Sequence, residues 1–184
     1  MDWVNGVLYW SDPTEKVIMK TPVEPKCLAQ DSAQAIIGGL SYPIGVAVYP
    51  DKGYVYWTDA GINRRIERSD LDGKYRRQII TNVRNPRAIT IDYDKNRIYW
   101  IDNRDYNCIL ESADLDGNGR RLLVNVMDSN LFDLDILQDY IIATDVKKSR
   151  VYLYSLANRR LIWKDWIGKP LGVKVYSQQR QKAS

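Results

Sequence analysis

Residues 85–124 read NPRAITIDYDKNRIYWIDNRDYNCILESADLDGNGRRLLV, and most of the chain consists of variants of this stretch. The variants share a tetrad that ends in aspartate, at 9–12, 56–59, 99–102 and 142–145. The last residues of the four tetrads lie 47, 43 and 43 positions apart. A sequence period near 43 residues predicts a repeat architecture with one four-stranded unit per repeat.

Four short strands are predicted within the quoted stretch, and we name them a, b, c and d in chain order. Runs rich in β-branched and aromatic residues at 88–92 and 97–101 predict a hairpin, with its turn at 94–96. Residues 108–113 and 121–124 predict strands c and d, joined by the Asp-Leu-Asp-Gly turn at 114–117. Each repeat therefore predicts one antiparallel sheet.

The adjacent Tyr99 and Trp100 of strand b point to opposite faces of the sheet, because successive strand side chains alternate. Both faces must then be covered, and radial stacking of sheets achieves this. Asp102 ends the strand, where its carboxylate is expected to accept hydrogen bonds from backbone N–H groups of the turn. The predicted fold class is all-β, a β-propeller of four-stranded antiparallel blades.

The tetrads, the Asn-Pro-Arg-Ala-Ile opening at 85–89 and the Asp-Leu-Asp-Gly turns at 70–73 and 114–117 resemble the class B, or YWTD, repeats of the low-density lipoprotein receptor family. The resemblance covers residues 2–176. It implies a propeller that recruits protein ligands on one face. No cofactor and no metal are predicted for this sequence. The residues that carry the repeat motif are Tyr9, Trp10, Asp12, Tyr56, Trp57, Asp59, Tyr99, Trp100, Asp102 and Asp145.

Four blades are predicted, at 7–37, 44–80, 88–124 and 131–163. The first lacks a strand a, and residues 171–176 have the pattern of one, so we expect this last strand to complete the first blade and hide its edge. Residues 177–184 are a C-terminal tail. Propellers of the family have six blades, about 258 residues at this period. The chain is thus either a four-bladed ring or, as its start inside a repeat favours, a piece of a longer receptor.

The fourth repeat departs from the motif, because Ile142 and Ala143 replace Tyr and Trp. Loss of the indole is expected to leave the space between blades less well filled, and a void lowers stability in proportion to its volume. Phe132 and Trp163 are candidates to fill the gap.

Strand a begins and strand b ends at the same rim, because they are antiparallel neighbours. The b–c loops therefore share one face with the openings of strand a. Exposed Arg, Asn and Tyr are typical of binding surfaces. The residues predicted to form a partner-binding face are Arg64, Arg65, Arg87, Asn103, Arg104, Tyr106, Asp133 and Lys147. The alternatives are a solvated rim and, for Arg87, an ion pair with a tetrad carboxylate.

Two other patterns have structural interpretations. Residues 114–119 begin like a calcium loop but lack its later ligands, so a c–d turn is favoured. The basic clusters at 64–65, 74–77 and 147–150 give a net charge of +4, and their scatter suits a solvated surface rather than a nucleic-acid stripe. Acidic proteins or sulfated glycans remain possible partners. Cys27 and Cys108 are too few for a disulfide framework, and their pairing is left open.

Three classes of function remain. The first is a noncatalytic extracellular module of a lipoprotein-receptor-like or Wnt-coreceptor-like protein, flanked by EGF-like modules. The second is a structural matrix-binding module similar to those of nidogen. The third, a propeller enzyme, has little support because the chain contains no histidine, the commonest general base. No apolar run approaches the roughly 20 residues that cross a bilayer, so this segment is not predicted to insert into a membrane.

Overall fold

The computed structural model describes residues 1–23, 32–166 and 168–175. Its strands form four antiparallel sheets in which spatial order follows chain order. A 3-10 turn spans Pro50–Lys52. The first sheet contains β1 (Val7–Asp12), β2 (Val17–Pro22) and β3 (Gln34–Ile37), and the second contains β4 (Pro43–Tyr49), β5 (Tyr54–Asp59), β6 (Arg65–Asp70) and β7 (Arg77–Ile80). The third contains β8 (Pro86–Asp92), β9 (Arg97–Arg104), β10 (Asn107–Asp114) and β11 (Arg121–Met127), and the fourth contains β12 (Leu131–Leu137), β13 (Tyr140–Asp145), β14 (Arg150–Ser155) and β15 (Leu161–Asp165).

The sheets stack face to face through three apolar clusters, one for each pair of neighbours. Trp57 packs toward the first sheet, whereas Tyr56 packs toward the third. Likewise, Trp100 packs toward the second sheet and Tyr99 packs toward the fourth. Burial of one such ring contributes roughly 4–6 kcal/mol as an upper bound. The opposite orientation predicted for adjacent Tyr and Trp is therefore confirmed.

The strands a of the complete sheets, β4, β8 and β12, lie side by side at the inner edge of the stack. Their approach is close, because a Cβ atom added to Gly45 would lie 2.3 Å from the carbonyl oxygen of Arg87. That carbonyl accepts a hydrogen bond from the Thr58 hydroxyl at 2.6 Å. These contacts fix the start of β8, and with it Arg87, next to the second sheet.

Asp12, Asp59 and Asp145 accept hydrogen bonds from N–H groups of the turn after strand b, as predicted. Among the described residues, the N–H groups that Asp102 binds belong instead to the connection that precedes strand a, which Asp59 also reaches. Asp59 accepts from the backbone N–H groups of Ser41 and Tyr42, and Asp102 accepts from those of Arg84 and Asn85. Each of these carboxylates ties the end of strand b to the segment between strands d and a.

Residues 114–119 form a c–d turn, as the sequence favours. The Asp114 carboxylate accepts from the N–H groups of Asp116 and Asn118. The turn inserts against the second sheet, since a Cβ atom on Gly117, whose φ is +88°, would lie 2.0 Å from the carbonyl oxygen of Ile79. Glycine is needed here for both its backbone conformation and its size.

The last described segment differs from the expectation that 171–176 completes the first sheet. The first sheet has three strands in the described residues, and 171–175 is not assigned to a strand. Instead, the N–H groups of Val173 and Val175 donate to the Asp133 and Asp135 carboxylates of β12, at 3.0 and 2.8 Å. The segment thus lies beside the inner strand of the fourth sheet, because these carboxylates supply its acceptors.

The fourth sheet fills the space of the missing indole in a way that the sequence did not indicate. Opposite Ala143 on β14 lies Tyr152, which is buried in the same cluster. Trp163 is 56% exposed and Phe132 is exposed as well, so neither fills this position. An aromatic ring on the neighbouring strand therefore replaces the tetrad tryptophan.

Cys108 is a buried free thiol on β10. Its Sγ atom donates to the carbonyl oxygen of Ser129 and accepts from the N–H of Leu131. Burial is the main reason that the pKa of Cys108 is raised to about 11, which keeps the thiol neutral at physiological pH. Cys27 lies outside the described residues.

Candidate ligand-binding face

Two rims face opposite directions. We call the rim that carries the b–c loops the upper rim; its loops are 13–16, 60–64, 105–106 and 146–149, and it includes the d–a connections 38–42, 81–85 and 128–130. Backbone hydrogen bonds join loop to connection, from Ala60 to Tyr42, from Asn103 to Asn85 and from Val146 to Asn130. The upper rim is therefore a continuous surface built from neighbouring sheets.

A cavity of about 660 Å³ opens on the upper rim, and we call it the upper cavity. Basic side chains dominate its wall, with one acidic side chain and several amide or hydroxyl groups. The basic residues are Arg64, Arg84, Arg87, Arg104 and Lys147; the others are Asp105, Ala60, Asn85, Asn103, Ser129 and Asn130. Such a wall favours anionic groups, because its positive charges reinforce one another.

Some of these cations have carboxylate partners. Lys147 pairs with Asp128, and their hydrogen bond raises the pKa of Lys147 and lowers that of Asp128. Arg104 lies 3.4 Å from Asp102, and Arg84 makes a longer contact of 3.6 Å with Asp105. Both groups of that longer pair are largely exposed, so the pair is weak.

Arg64 and Arg87 form no ion pair within the part of the chain that the structure describes. The guanidinium of Arg87 lies 5.8 Å from the centre of the Phe132 ring, and its buried Nε atom has no hydrogen-bond partner there. The ion pair considered for Arg87 is therefore not formed among these residues. Its charge is available to a ligand in the upper cavity.

Large apolar and aromatic side chains are exposed around the same rim. Ile62 is 91% exposed and Tyr106 is 81% exposed, each in a b–c loop, and Tyr42 in a d–a connection is also exposed. Aromatic residues and arginine are enriched in the energetically dominant parts of protein interfaces. The upper rim thus combines a cationic cavity with apolar side chains that a partner would cover.

The model of the low-density lipoprotein receptor repeat class B matches residues 53–93, which contain β5 to β8. The chain is built from class B repeats. The matched unit runs b–c–d–a and so spans two neighbouring sheets. By the same order, residues 171–175 follow strand d of the fourth sheet and correspond to a strand a. Their position beside β12, the preceding strand a, agrees with this.

Two relatives of this chain are longer than it is. The vitellogenin receptor of Solenopsis invicta is 28% identical over 169 residues, covering 90% of this chain and 9% of the receptor. Protein cueball of Drosophila grimshawi is 34% identical over 162 residues, covering 83% of this chain and 26% of that protein. The chain therefore spans about a quarter or less of these relatives.

A chain in the crystal structure of a nidogen/laminin complex is similar to this one, with a TM-score of 0.84 and 28% identity. The similarity covers 97% of this chain and 67% of that chain. Together with the stacked sheets, it establishes that the class B repeats form an all-β propeller, as the sequence predicts.

Five of the eight residues predicted for the binding face of this class B propeller line the upper cavity: Arg64, Arg87, Asn103, Arg104 and Lys147. Tyr106 lies on the upper rim outside the cavity wall. Arg65 is buried and contacts Asp59 at 3.2 Å and Glu67 at 3.1 Å. Asp133 accepts from the backbone of Leu134 and Val173. Arg65 and Asp133 therefore make structural contacts and do not line the upper cavity.

Sequence reasoning did not include the d–a connections, which contribute Arg84, Asn85, Ser129 and Asn130 to the upper cavity. A signal for them exists in the tetrad aspartate. Its carboxylate, at the end of strand b, needs N–H donors from a neighbouring segment, and the residues just before strand a supply them.

The described residues hold no group of three or more His, Cys, Asp and Glu side chains placed to bind a metal ion. Within the same part of the chain, no helix is long and apolar enough to cross a membrane. The cationic wall of the upper cavity and the exposed apolar side chains beside it suit recognition of anionic and apolar groups.

Proposed function

We propose that this chain is a noncatalytic, extracellular ligand-binding module of a lipoprotein-receptor-like protein, acting in endocytosis or in Wnt-type signalling. An acidic segment of a protein ligand binds in the upper cavity, and apolar side chains of the ligand cover Ile62 and Tyr106. In the longer protein, EGF-like modules flank the propeller.

The observation that carries this proposal is the convergence of five cations on one cavity. Arg64 and Arg87 have no carboxylate partner among the described residues, so a ligand carboxylate gains two charge-assisted hydrogen bonds. Complementary charge also speeds encounter and selects acidic over basic partners.

The relatives support a receptor role. The matching repeat is named for a lipoprotein receptor, and one relative is named a vitellogenin receptor. A noncatalytic role agrees with the composition of the upper cavity, whose arginines and amides bind anions but provide no general base near neutral pH.

A matrix-binding role is the second candidate, favoured by the similarity to a chain of the nidogen/laminin complex. In that role the same rim holds a matrix protein constitutively. The two roles differ in the ligand and not in the surface, so one experiment compares them.

The test measures binding of purified insect vitellogenin and of purified laminin to the immobilised 184-residue chain by biolayer interferometry. The variants are Arg64→Gln and Arg87→Gln together, and Lys52→Gln, which lies in the Pro50–Lys52 turn at the opposite rim. We expect the double variant to weaken binding by about tenfold or more, as loss of central arginines does at interfaces. The Lys52 control should change affinity by less than about twofold, because single rim charges contribute little.

Binding of vitellogenin with this pattern supports the receptor role, and binding of laminin with this pattern supports the matrix role. Binding that the double variant leaves unchanged would exclude the upper cavity as the ligand site. Failure of both proteins to bind would contradict both candidate roles.

A further inference from the structure

A second cavity, of about 460 Å³, opens between the third and fourth sheets. It lies on the lower rim, which carries the a–b turns and the c–d turns. Four cations line it, Lys95, Arg97, Arg121 and Arg159, with one carboxylate, Asp139. We call it the lower cavity. It is separate from the upper cavity, because its residues come from the opposite ends of the strands.

The corresponding place between the second and third sheets is filled from within the chain. Asp116, in the c–d turn of the third sheet, pairs with Arg68 at 2.9 Å and also with Arg77. The carbonyl oxygen of Leu115 in the same turn accepts from the Tyr56 hydroxyl at 3.2 Å and from Arg68 at 2.9 Å. The turn thus neutralises the cations of the preceding sheet.

The space between the first and second sheets is filled in the same way, by the c–d turn of the second sheet. Asp72, in the c–d turn of the second sheet, pairs with Lys20 at 2.6 Å. The carbonyl oxygen of Leu71 accepts from the Tyr9 hydroxyl and from Lys20, both at 3.3 Å. Two of the three spaces between sheets are therefore closed by an aspartate in an Asp-Leu-Asp-Gly turn.

The fourth repeat has lost this aspartate. Its c–d turn begins Ser155-Leu156-Ala157-Asn158, so Ala157 stands where Asp72 and Asp116 stand in the other turns. On the third sheet, Ser112 pairs with Tyr99 as Arg68 pairs with Tyr56. A small hydroxyl thus replaces a long cation and a methyl group replaces a carboxylate, and together these replacements open the lower cavity.

The cations that line the lower cavity are not neutralised by the c–d turn of the fourth sheet. Arg121 opens β11 as Arg77 opens β7, yet neither Arg121 nor Arg159 is in an ion pair within residues 1–23, 32–166 and 168–175. Arg97 donates to the Ser112 hydroxyl and to the carbonyl oxygen of Gly119. The single carboxylate, Asp139, is taken by Lys95 at 2.6 Å. A net positive charge therefore faces an open space.

We infer that the lower cavity binds an acidic side chain of a protein partner, whose carboxylate takes the place that Asp72 and Asp116 fill in the other two spaces. Arg121 and Arg159 bind this carboxylate, and Leu122 and Leu156 contact the apolar part of the partner segment. A peptide suits this wall better than a sulfated glycan, because the leucines offer apolar contact that a glycan sulfate cannot use.

The test uses the full chain, labelled with ¹⁵N, and the peptide acetyl-Leu-Asp-Gly-amide, which repeats the turn sequence of residues 115–117. Amide shifts of Tyr99, Ser112 and Leu123 are followed by NMR during titration. We expect saturable shifts, and an affinity at least about fivefold lower for the matching peptide with Asn in place of Asp, since the charge-assisted hydrogen bonds are lost.

Three variants make the test specific. Arg121→Gln and Arg159→Gln, at exposed positions, should each weaken the Asp peptide at least about threefold by removing one charge-assisted contact. Ala157→Asp should abolish binding, because it restores the internal carboxylate. Arg64→Gln, on the upper rim, should leave the shifts unchanged and so separates this site from the proposed ligand-binding face.

Equal shifts with the Asp and Asn peptides would overturn the inference, as would full peptide binding by the Arg121 and Arg159 variants. Saturation by a heparin hexasaccharide without saturation by the Asp peptide would identify a glycan site and overturn it as well. Displacement of the Asp peptide by inorganic sulfate, observed as shifts of the same amides, would support it.

Discussion

At the scale of single residues, the tetrad aspartate connects two parts of each sheet that are distant in sequence. Asp59, Asp102 and Asp145 are fully buried, and each accepts backbone N–H groups from the d–a connection. Asp12 is different, because among the described residues its carboxylate accepts from Thr14 and Glu15 in its own turn and from no d–a connection. The same residue type thus joins segments in three repeats and caps a local turn in the first.

This difference predicts unequal effects of the same substitution. Asp102→Ala should lower the free energy of unfolding by about 2–4 kcal/mol, because a fully buried carboxylate is removed and two part-buried N–H groups lose a charged acceptor. Asp12→Ala should lower it by less than about 1 kcal/mol, because water reaches the donors of an exposed turn. Urea unfolding followed by tryptophan fluorescence measures both values. Equal losses would show that the link to the d–a connection adds no stability.

At the scale of secondary-structure elements, a repeated Trp-Glu-Arg unit joins strand b, strand c and the c–d connection to the preceding sheet. Arg76 pairs with Glu67 at 2.8 Å and donates to the carbonyl oxygen of Gly38, with its guanidinium 5.6 Å from the Trp57 ring. Arg120 repeats these contacts with Glu111 and the carbonyl oxygen of Thr81. The basic cluster at 74–77, which sequence reasoning assigned to a solvated surface, therefore includes arginines with structural contacts, Arg76 here and Arg77 with Asp116.

The c–d turn is the element whose geometry is most restrictive, and two of its glycines provide a matched pair. Gly117→Ala should destabilise the chain by more than about 2 kcal/mol, because the new methyl group overlaps the Ile79 carbonyl at a positive φ. Gly119→Ala should cost about 1 kcal/mol, since its φ is also positive and its surroundings are open.

Thermal unfolding by circular dichroism measures both variants. A larger loss for Gly119→Ala than for Gly117→Ala would contradict the close packing of this turn against the second sheet.

At the scale of the whole molecule, four sheets share three apolar clusters, and in the described residues no such cluster joins the fourth sheet to the first. The outer face of the first sheet carries Leu8, 41% exposed, beside Trp10. The outer face of the fourth sheet carries Ile162, 45% exposed, which pairs with Leu153. Exposed apolar sheet faces favour association.

We therefore expect the isolated chain to associate as its concentration rises, with a molar mass by light scattering above the 21.4 kDa of one chain. Leu8→Lys and Ile162→Lys together should lower the association, because a buried lysine is costly at either face. Ile62→Lys, on the upper rim, should leave the mass unchanged and serves as the control. A monomer at every concentration would contradict the exposed faces as sites of association.

The sequence alone determined the architecture, because its evidence is local and repeated. The period of the tetrads, the alternation of Tyr and Trp and the Asp-Leu-Asp-Gly turns each depend on neighbours within one repeat, and the stacked sheets and the family match confirm the predicted fold. It also predicted five residues of the upper cavity, because antiparallel strands bring loops of known order to one rim. Their role in binding stays a prediction.

Only the tertiary structure decided which groups meet across sheets. Burial of Arg65, replacement of the tetrad tryptophan by Tyr152 and the position of 171–175 beside β12 all depend on contacts between repeats that are distant along the chain. The lower cavity has the same origin. Ala157 and Ser112 are unremarkable in sequence, and their joint effect exists only because stacking places one sheet's turn against the strands of the sheet before it.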